Sequence, residues 1–134
     1  MAVALSIDTT FLIDLQRERR AGRGDGEAHT FLQERPDAEL QLSVVALGEF
    51  AEGFPSAEHP TVRAMREHHN VLPIDVETAL IYAGITRELR GQGRLIGTND
   101  LWIAATSLRR QLPVVTANAE HFERVEGLQV LTYR

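Results

Sequence analysis

Short apolar runs alternate with stretches of helical period along almost the whole chain, and that alternation constrains the fold more than any other feature. The first run, Val3–Ile7, ends at Asp8 and reads as a buried strand. Further strands are expected at 40–45, 71–74, 113–116 and 128–132. Helical stretches fall at 9–16, 28–35, 46–54, 57–69, 76–90 and 100–110. Pro36 and Pro55 stop two of them, Pro60 suits the first turn of another, and Gly91-Gln92-Gly93 ends the longest. The Arg- and Gly-rich segment 17–27 reads as an exposed loop, the part of the chain most prone to disorder. Strands alternating with helices imply an α/β three-layer sandwich around a parallel sheet. A single domain over 1–134 is expected, because no repeat, low-complexity tract or linker interrupts the pattern.

Composition excludes several classes. Cysteine is absent, so disulfides and thiolate zinc sites are ruled out. No apolar run approaches the ~18 residues that span a membrane. The N-terminal MAVALSIDTT lacks a basic region and reads as a strand rather than a signal peptide, so a cytoplasmic location is expected. The net charge of −5 argues against coating nucleic acid by bulk charge. It leaves room for clustered carboxylates beside a local basic patch. All 14 basic residues are arginine, which removes any mechanism that needs a lysine.

The carboxylates are placed to meet. In open parallel sheets, sites form outside the carboxyl ends of the strands, where strand order reverses. With the order 3-2-1-4-5, Asp8 at the end of the first strand neighbours Thr116-Ala117-Asn118 at the end of the fourth. Glu49 lies in the helix after the second strand, with Glu52 three residues on along a similar face. Asp100, in LIGTNDLWIAATS, opens the helix that leads to the fourth strand. Asp8, Glu49, Asp100 and Asn118 therefore gather at one sheet edge, with Glu52 nearby. Acids this close repel, and a divalent cation relieves them; an all-oxygen set suits Mg²⁺ or Mn²⁺. Such a cation can activate water and offset charge on a phosphate.

Each residue alone has a plainer reading. Asp8 can cap a helix, Glu49 can be solvated, and Asn118 can be a turn residue. At Asp100, Thr98 or Asn99 would cap the helix while the acid favours its positive end. Joint placement at one edge is what independent capping does not require. His68-His69 read as helix-end residues. His121 falls near Asn118 and is weighed as a surface residue against a substrate contact. Arg17, Arg19, Arg20 and Arg23 either contact phosphates, form a solvated loop or dock an acidic partner.

At these motifs the chain resembles the PIN-domain family, and within it the VapC toxins of type II toxin–antitoxin systems. SIDTTFLIDL is similar to the opening block, with Asp8 as first acid and Thr9 its hydroxyl neighbour. LSVVALGEFAEG is similar to the second, with Glu49 as second acid and Gly53 closing it. GTNDLWIAATSL carries the third acid, Asp100, and LPVVTANAEHFERVEGLQVL the closing Thr116 and Asn118. The resemblance implies a five-stranded parallel sheet and Mg²⁺- or Mn²⁺-dependent cleavage of RNA, often tRNA or rRNA. It further implies a homodimer and a VapB-type antitoxin. It makes Asp8, Glu49 and Asp100 the metal ligands and gives Thr9, Thr116 and Asn118 positioning roles. From the residues themselves, Glu52 stands behind the ligands or acts as a base, Asn99 stands behind them, and Arg17, Arg20 and Arg23 are expected to bind substrate. Phe11, Phe50 and Phe54 are expected either to line an apolar groove for the antitoxin or to sit in the core. Asn118 stands where the family carries Asp or Asn, so the site has one charge fewer than with Asp. That keeps a second reading in view, a PIN-like module that binds RNA or protein without cutting. A receiver domain would need paired acids and a lysine, and a haloacid-dehalogenase-like phosphatase a second Asp at position 10, where Thr10 stands.

Overall fold

The computed structural model describes residues 2–134. Strand β1 (Val3–Ile7) runs through the middle of a five-stranded parallel sheet. On one side lie β2 (Ala38–Ser43) and then β3 (Asn70–Leu72); on the other lie β4 (Val114–Thr116) and then β5 (Val130–Thr132). The order β3-β2-β1-β4-β5 is the expected one. Every pairing is parallel, with Leu5 opposite Leu40, Ile7 opposite Val115 and Thr116 opposite Thr132. Consecutive strand residues face opposite sides of a sheet. Leu5, Ser6 and Ile7 are all buried, as are Val114, Val115 and Thr116, so both faces of the central strands are covered.

Seven helices provide that cover: α1 (Thr9–Arg20), α2 (Glu27–Gln33), α3 (Val44–Glu52), α4 (Pro60–His68), α5 (Val76–Gly91), α6 (Thr98–Arg109) and the single turn α7 (Ala119–Phe122). Several depart from the sequence reading for identifiable reasons. The second strand ends at Ser43 rather than 45, because the Ser43 hydroxyl accepts the Ala46 amide at 3.0 Å and caps α3. The β-branched pair Val44-Val45, which reads as strand, therefore opens a helix. Helix α6 begins at Thr98, with Gly97 as its cap residue and no side-chain cap from Thr98 or Asn99. The turn α7, absent from the sequence reading, follows Asn118 directly.

The largest departure is at 17–27. Helix α1 runs through Arg17, Arg19 and Arg20, and only Ala21–Gly26 remains as a connection. Glu18 organises it. Its carboxylate accepts the Ala28 amide at 3.0 Å, the His29 amide at 2.9 Å and pairs with the His29 ring at 2.8 Å, so it caps α2 from a distance. Burial pushes the Glu18 carboxyl up, but these bonds outweigh it and hold it below the usual range. A Cβ on Gly26 would lie 2.2 Å from the Glu18 carboxyl carbon, so a side chain there would push Glu18 off its cap. The segment is a fitted turn.

Phe11 and Phe50 lie in the core, 0% and 4% exposed, so they line no groove. Phe11 meets Phe31 and Tyr133 edge to face, with centroids 5.7 and 4.9 Å away. Phe54 is half-buried, against Phe50 and His59. Among the described residues, no helix is long and apolar enough to cross a membrane.

Candidate functional site

Asp8 leaves β1 at the carboxyl edge of the sheet and caps α1, and it is 2% exposed. The capping reading and the site reading thus apply to one side chain. Its Oδ1 accepts the Phe11 amide at 3.1 Å and the Thr10 hydroxyl at 2.6 Å. Its Oδ2 accepts the Thr116 hydroxyl. Each hydroxyl then accepts a backbone amide from the turn after β4: Ala117 N to Thr10 at 3.1 Å, and Asn118 N to Thr116 at 2.8 Å. Two threonine relays therefore fasten the 117–118 turn to one carboxylate. A carboxylate offers about four lone-pair directions. With three taken at Asp8, one on Oδ2 remains for an outside ligand.

The other acids approach from separate elements. Glu49 of α3 accepts the Thr9 hydroxyl at 2.6 Å, which joins the second acid to the residue beside the first. Asp100 stands in the first turn of α6, where the positive helix end favours it. Its Oδ2 lies 3.6 Å from His121 Nδ1, beyond hydrogen-bond reach, and that nitrogen is buried with no partner among the described residues. Burial raises the Asp8 carboxyl; the three hydrogen bonds oppose it, and the Asp100 charge adds to the rise. Asp100 is also raised, by burial first and by the charge of Glu49, with His121 working against both. Asp8 thus feels the charge of Asp100, and Asp100 that of Glu49, although among the described residues no three such side chains already close into a metal-binding cluster. Asn118 is exposed at the mouth of the site.

A buried bond beneath the site sets the spacing of its two halves. The Ser6 and Ser107 hydroxyls pair at 2.9 Å, and Ser107 also bonds the Ile103 carbonyl at 2.9 Å. Ser6 is on the strand that carries Asp8, and Ser107 on the helix that carries Asp100. Trp102 of α6 stacks on Tyr82 of α5 at 3.8 Å, which holds the same helix from its other side. Thr10, Ser6 and Ser107 were missed by sequence reasoning. The available signal was a hydroxyl inside an otherwise apolar strand or helix.

Other expected site residues lie further out. Glu52 and Asn99 are exposed and make no hydrogen bond or ion pair among the described residues. Arg17, Arg20 and Arg23 lie at or beyond the far end of α1; Arg17 is nine residues from Asp8, about 14 Å along the helix.

The sequence and the fold both match known proteins. A family model for the PIN domain matches residues 5–128. The chain belongs to the PIN-domain family. Relatives of this PIN domain include Ribonuclease VapC1 of Methanocaldococcus jannaschii, 31% identical over 92% of this chain and 84% of that protein. Ribonuclease VapC1 of Haemophilus influenzae strain R2866 is 32% identical over 92% of both. Among solved structures, VapBC-1 from nontypeable Haemophilus influenzae superposes with a TM-score of 0.79 at 29% identity, covering 98% of each chain. The five-stranded parallel sheet of this PIN domain is what the sequence resemblance implied.

The relays yield an expected result. Thr10→Val keeps the shape of Thr10 and deletes its hydroxyl, leaving the Ala117 amide without its acceptor. Loss of a carboxylate's outer partner weakens metal binding roughly 10- to 100-fold. If the three acids hold a divalent cation, Mn²⁺ titration calorimetry is expected to show that loss in Thr10→Val and recovery in Thr10→Ser; equal affinities in all three proteins would exclude the relay. A second expectation follows from Asp100. Its folded pKa is raised, so its ionised form opposes folding; the stability it allows is full below its ordinary value of 3.8 and is lost as pH rises through the folded value. Asp100→Asn is therefore expected to melt higher than the parent at pH 7 in EDTA. The gap should close as pH falls below the raised folded value, where the parent residue is itself neutral. A gap unchanged across that range would contradict the linkage.

Proposed function

We propose that this PIN domain is a Mg²⁺- or Mn²⁺-dependent endoribonuclease, the toxin of a VapBC-type module, acting in the cytoplasm as a homodimer and restrained by a VapB-type antitoxin. The observation that carries the reading is the Asp8 carboxylate, buried, fixed by three donors, and left with one free lone-pair direction near the Asp100 charge. The relatives' names, and the antitoxin-bound relative, support the same reading.

The donor set fits a hard divalent cation: carboxylates with no soft ligand, two of them with raised pKa values that a cation would relieve. Asp8, Asp100 and Glu49 would hold it. When bound, it supplies charge stabilisation and water activation for phosphodiester hydrolysis. The chain's own residues do the rest. Thr10 and Thr116 fix the direction of the Asp8 carboxylate. Thr9 orients Glu49, and the Ser6–Ser107 bond fixes the span between Asp8 and Asp100. Asn118, exposed at the mouth, offers an amide to substrate without adding charge. Val76 and Leu80, 72% and 62% exposed one turn apart on α5, support a second copy as the dimer partner.

The test is incubation of the purified, antitoxin-free protein with total cellular RNA in Mg²⁺, Mn²⁺ or EDTA. Discrete fragments in metal and none in EDTA are expected, and their ends identify the substrate. A folded sample that cuts nothing in either metal overturns the nuclease reading in favour of an RNA- or protein-binding module.

A further inference from the structure

The face of α1 that touches the carboxylate centre continues to a second polar feature. Thr10, Asp14, Arg17 and Ala21 follow one another at i, i+4, i+7 and i+11, so they form one stripe along the helix. Thr10 bonds Asp8 at the start of the stripe. At its end, Arg17 lines a cleft of about 400 Å³ together with Asp14, Glu18, Arg23, Glu27 and Arg134. From Thr10 to Arg17 is seven residues, about 10 Å along the helix.

The charges in this cleft are not balanced in place. Asp14 accepts the Tyr133 hydroxyl at 2.6 Å and pairs with Arg134 at 3.3 Å. Glu18 is occupied by the two α2 amides and the His29 ring. Glu27 sits in the first turn of α2, where the helix end offsets it. Arg17 and Arg23 have no ion-pair partner among the described residues, in a chain whose net charge is −5. Nor is Arg23 on a loose loop. Its amide bonds the Glu18 carbonyl at 2.8 Å, its carbonyl accepts the Gly26 amide at 3.1 Å, and the turn is closed by Glu18 itself. Two guanidinium groups are thus held at the rim of a cleft, on the helix face that leads to the carboxylates. Guanidinium forks match phosphate oxygens, and a fixed backbone reduces the ordering cost of using them.

We infer that the cleft between α1, the 21–26 turn and the 133–134 segment is a subsite for a backbone phosphate of RNA, flanking the one at the carboxylate centre. The inference rests on the ribonuclease reading for the identity of the strand, and it places Arg17 and Arg23 on the substrate's backbone rather than at the reacting phosphate. The strand crosses Asn118 and Thr10, passes the Tyr133–Asp14 pair and reaches the two arginines. Contacts of this kind set register and affinity without reading bases.

The test measures binding without cleavage. A fluorescent single-stranded RNA of about a dozen nucleotides is titrated with the full chain in EDTA at several salt concentrations, followed by anisotropy. In Arg17→Ala/Arg23→Ala, affinity at 0.1 M salt is expected to fall roughly tenfold and the slope of log K against log salt to shrink by about 0.7, the value for one lost phosphate contact. Arg17→Lys/Arg23→Lys should keep most of the slope. Arg63→Ala/Arg66→Ala on α4 removes the same charge elsewhere and should leave both quantities near the parent's. Parent-like affinity and slope in Arg17→Ala/Arg23→Ala, or an equal loss in the α4 control, overturns the subsite. A parent protein that binds no RNA in EDTA overturns it as well. If the arginine variant keeps RNA affinity yet loses its hold on an antitoxin, the cleft is a protein-docking surface and the inference is likewise wrong. Cleavage of total RNA by the parent in Mg²⁺ is scored separately, so the nuclease reading stands or falls on its own.

Discussion

Asp8→Asn is expected to remove RNA cleavage by about a thousandfold or more while leaving the fold intact. The size follows from the several kcal/mol that a positioned cation contributes to a phosphoryl transition state, at about 1.4 kcal/mol per tenfold. The amide keeps the side chain's outline but carries no charge, so the lone pair left free at Oδ2 would no longer hold the proposed cation. Mn²⁺ binding by calorimetry should be lost in parallel with cleavage. The fold should survive because the ionised Asp8 carboxyl is disfavoured by burial, and a neutral amide relieves that cost. Melting in EDTA at neutral pH is thus expected to be no lower for the variant than for the parent. A variant that melts normally and cuts RNA at the parental rate would remove Asp8 from the mechanism.

Phe11→Ala is expected to cost about 4 kcal/mol of folding stability, within the 3–5 kcal/mol seen for deleting a buried aromatic ring. The side chain is 0% exposed and holds Phe31 and Tyr133 edge to face, contacts that add to simple burial. A domain of this kind has roughly 5–15 kcal/mol to lose. Urea denaturation should show the drop as a lower midpoint at constant slope. Phe11→Leu, which keeps more of the volume, should lose less than about half as much. A loss below about 1.5 kcal/mol for the alanine variant would mean that the three-ring cluster does not hold α1 against the C-terminal segment. The effect extends to the site, because the Phe11 amide is one of the three donors on Asp8.

Legibility in the sequence divided along physical lines. The parallel order and the meeting of Asp8 with the 116–118 turn were readable, because strand–helix alternation and right-handed crossovers leave few arrangements. The pairing of Ile7 with Val115 realises that expectation. Hydroxyl geometry was not readable. Nothing in the run Asp8-Thr9-Thr10 distinguishes Thr9, which reaches Glu49, from Thr10, which reaches Asp8; the helix turn decides it. Segment 17–27 was misjudged for a related reason. Its glycines and arginines look unconstrained until Glu18, a residue inside the segment, is seen to cap the next helix over a gap of ten residues. Phe11 and Phe50 were weighed as groove or core, and burial decides for the core. A single chain does not reveal which aromatic rings find partners.

The Thr116 relay to Asp8 joins positions 108 residues apart. A ribosome makes chain at roughly 5–20 residues per second, so roughly 5–20 seconds separate the synthesis of these two partners. Within that interval the emerging polypeptide can pair β1 with β2 and β2 with β3 but has no β4 to complete its carboxyl edge. Asp8 then lacks one of its two threonines, and the turn bearing Asn118 does not yet exist. The centre is therefore completed only after β4 has been made, long after the strand that carries its first acid.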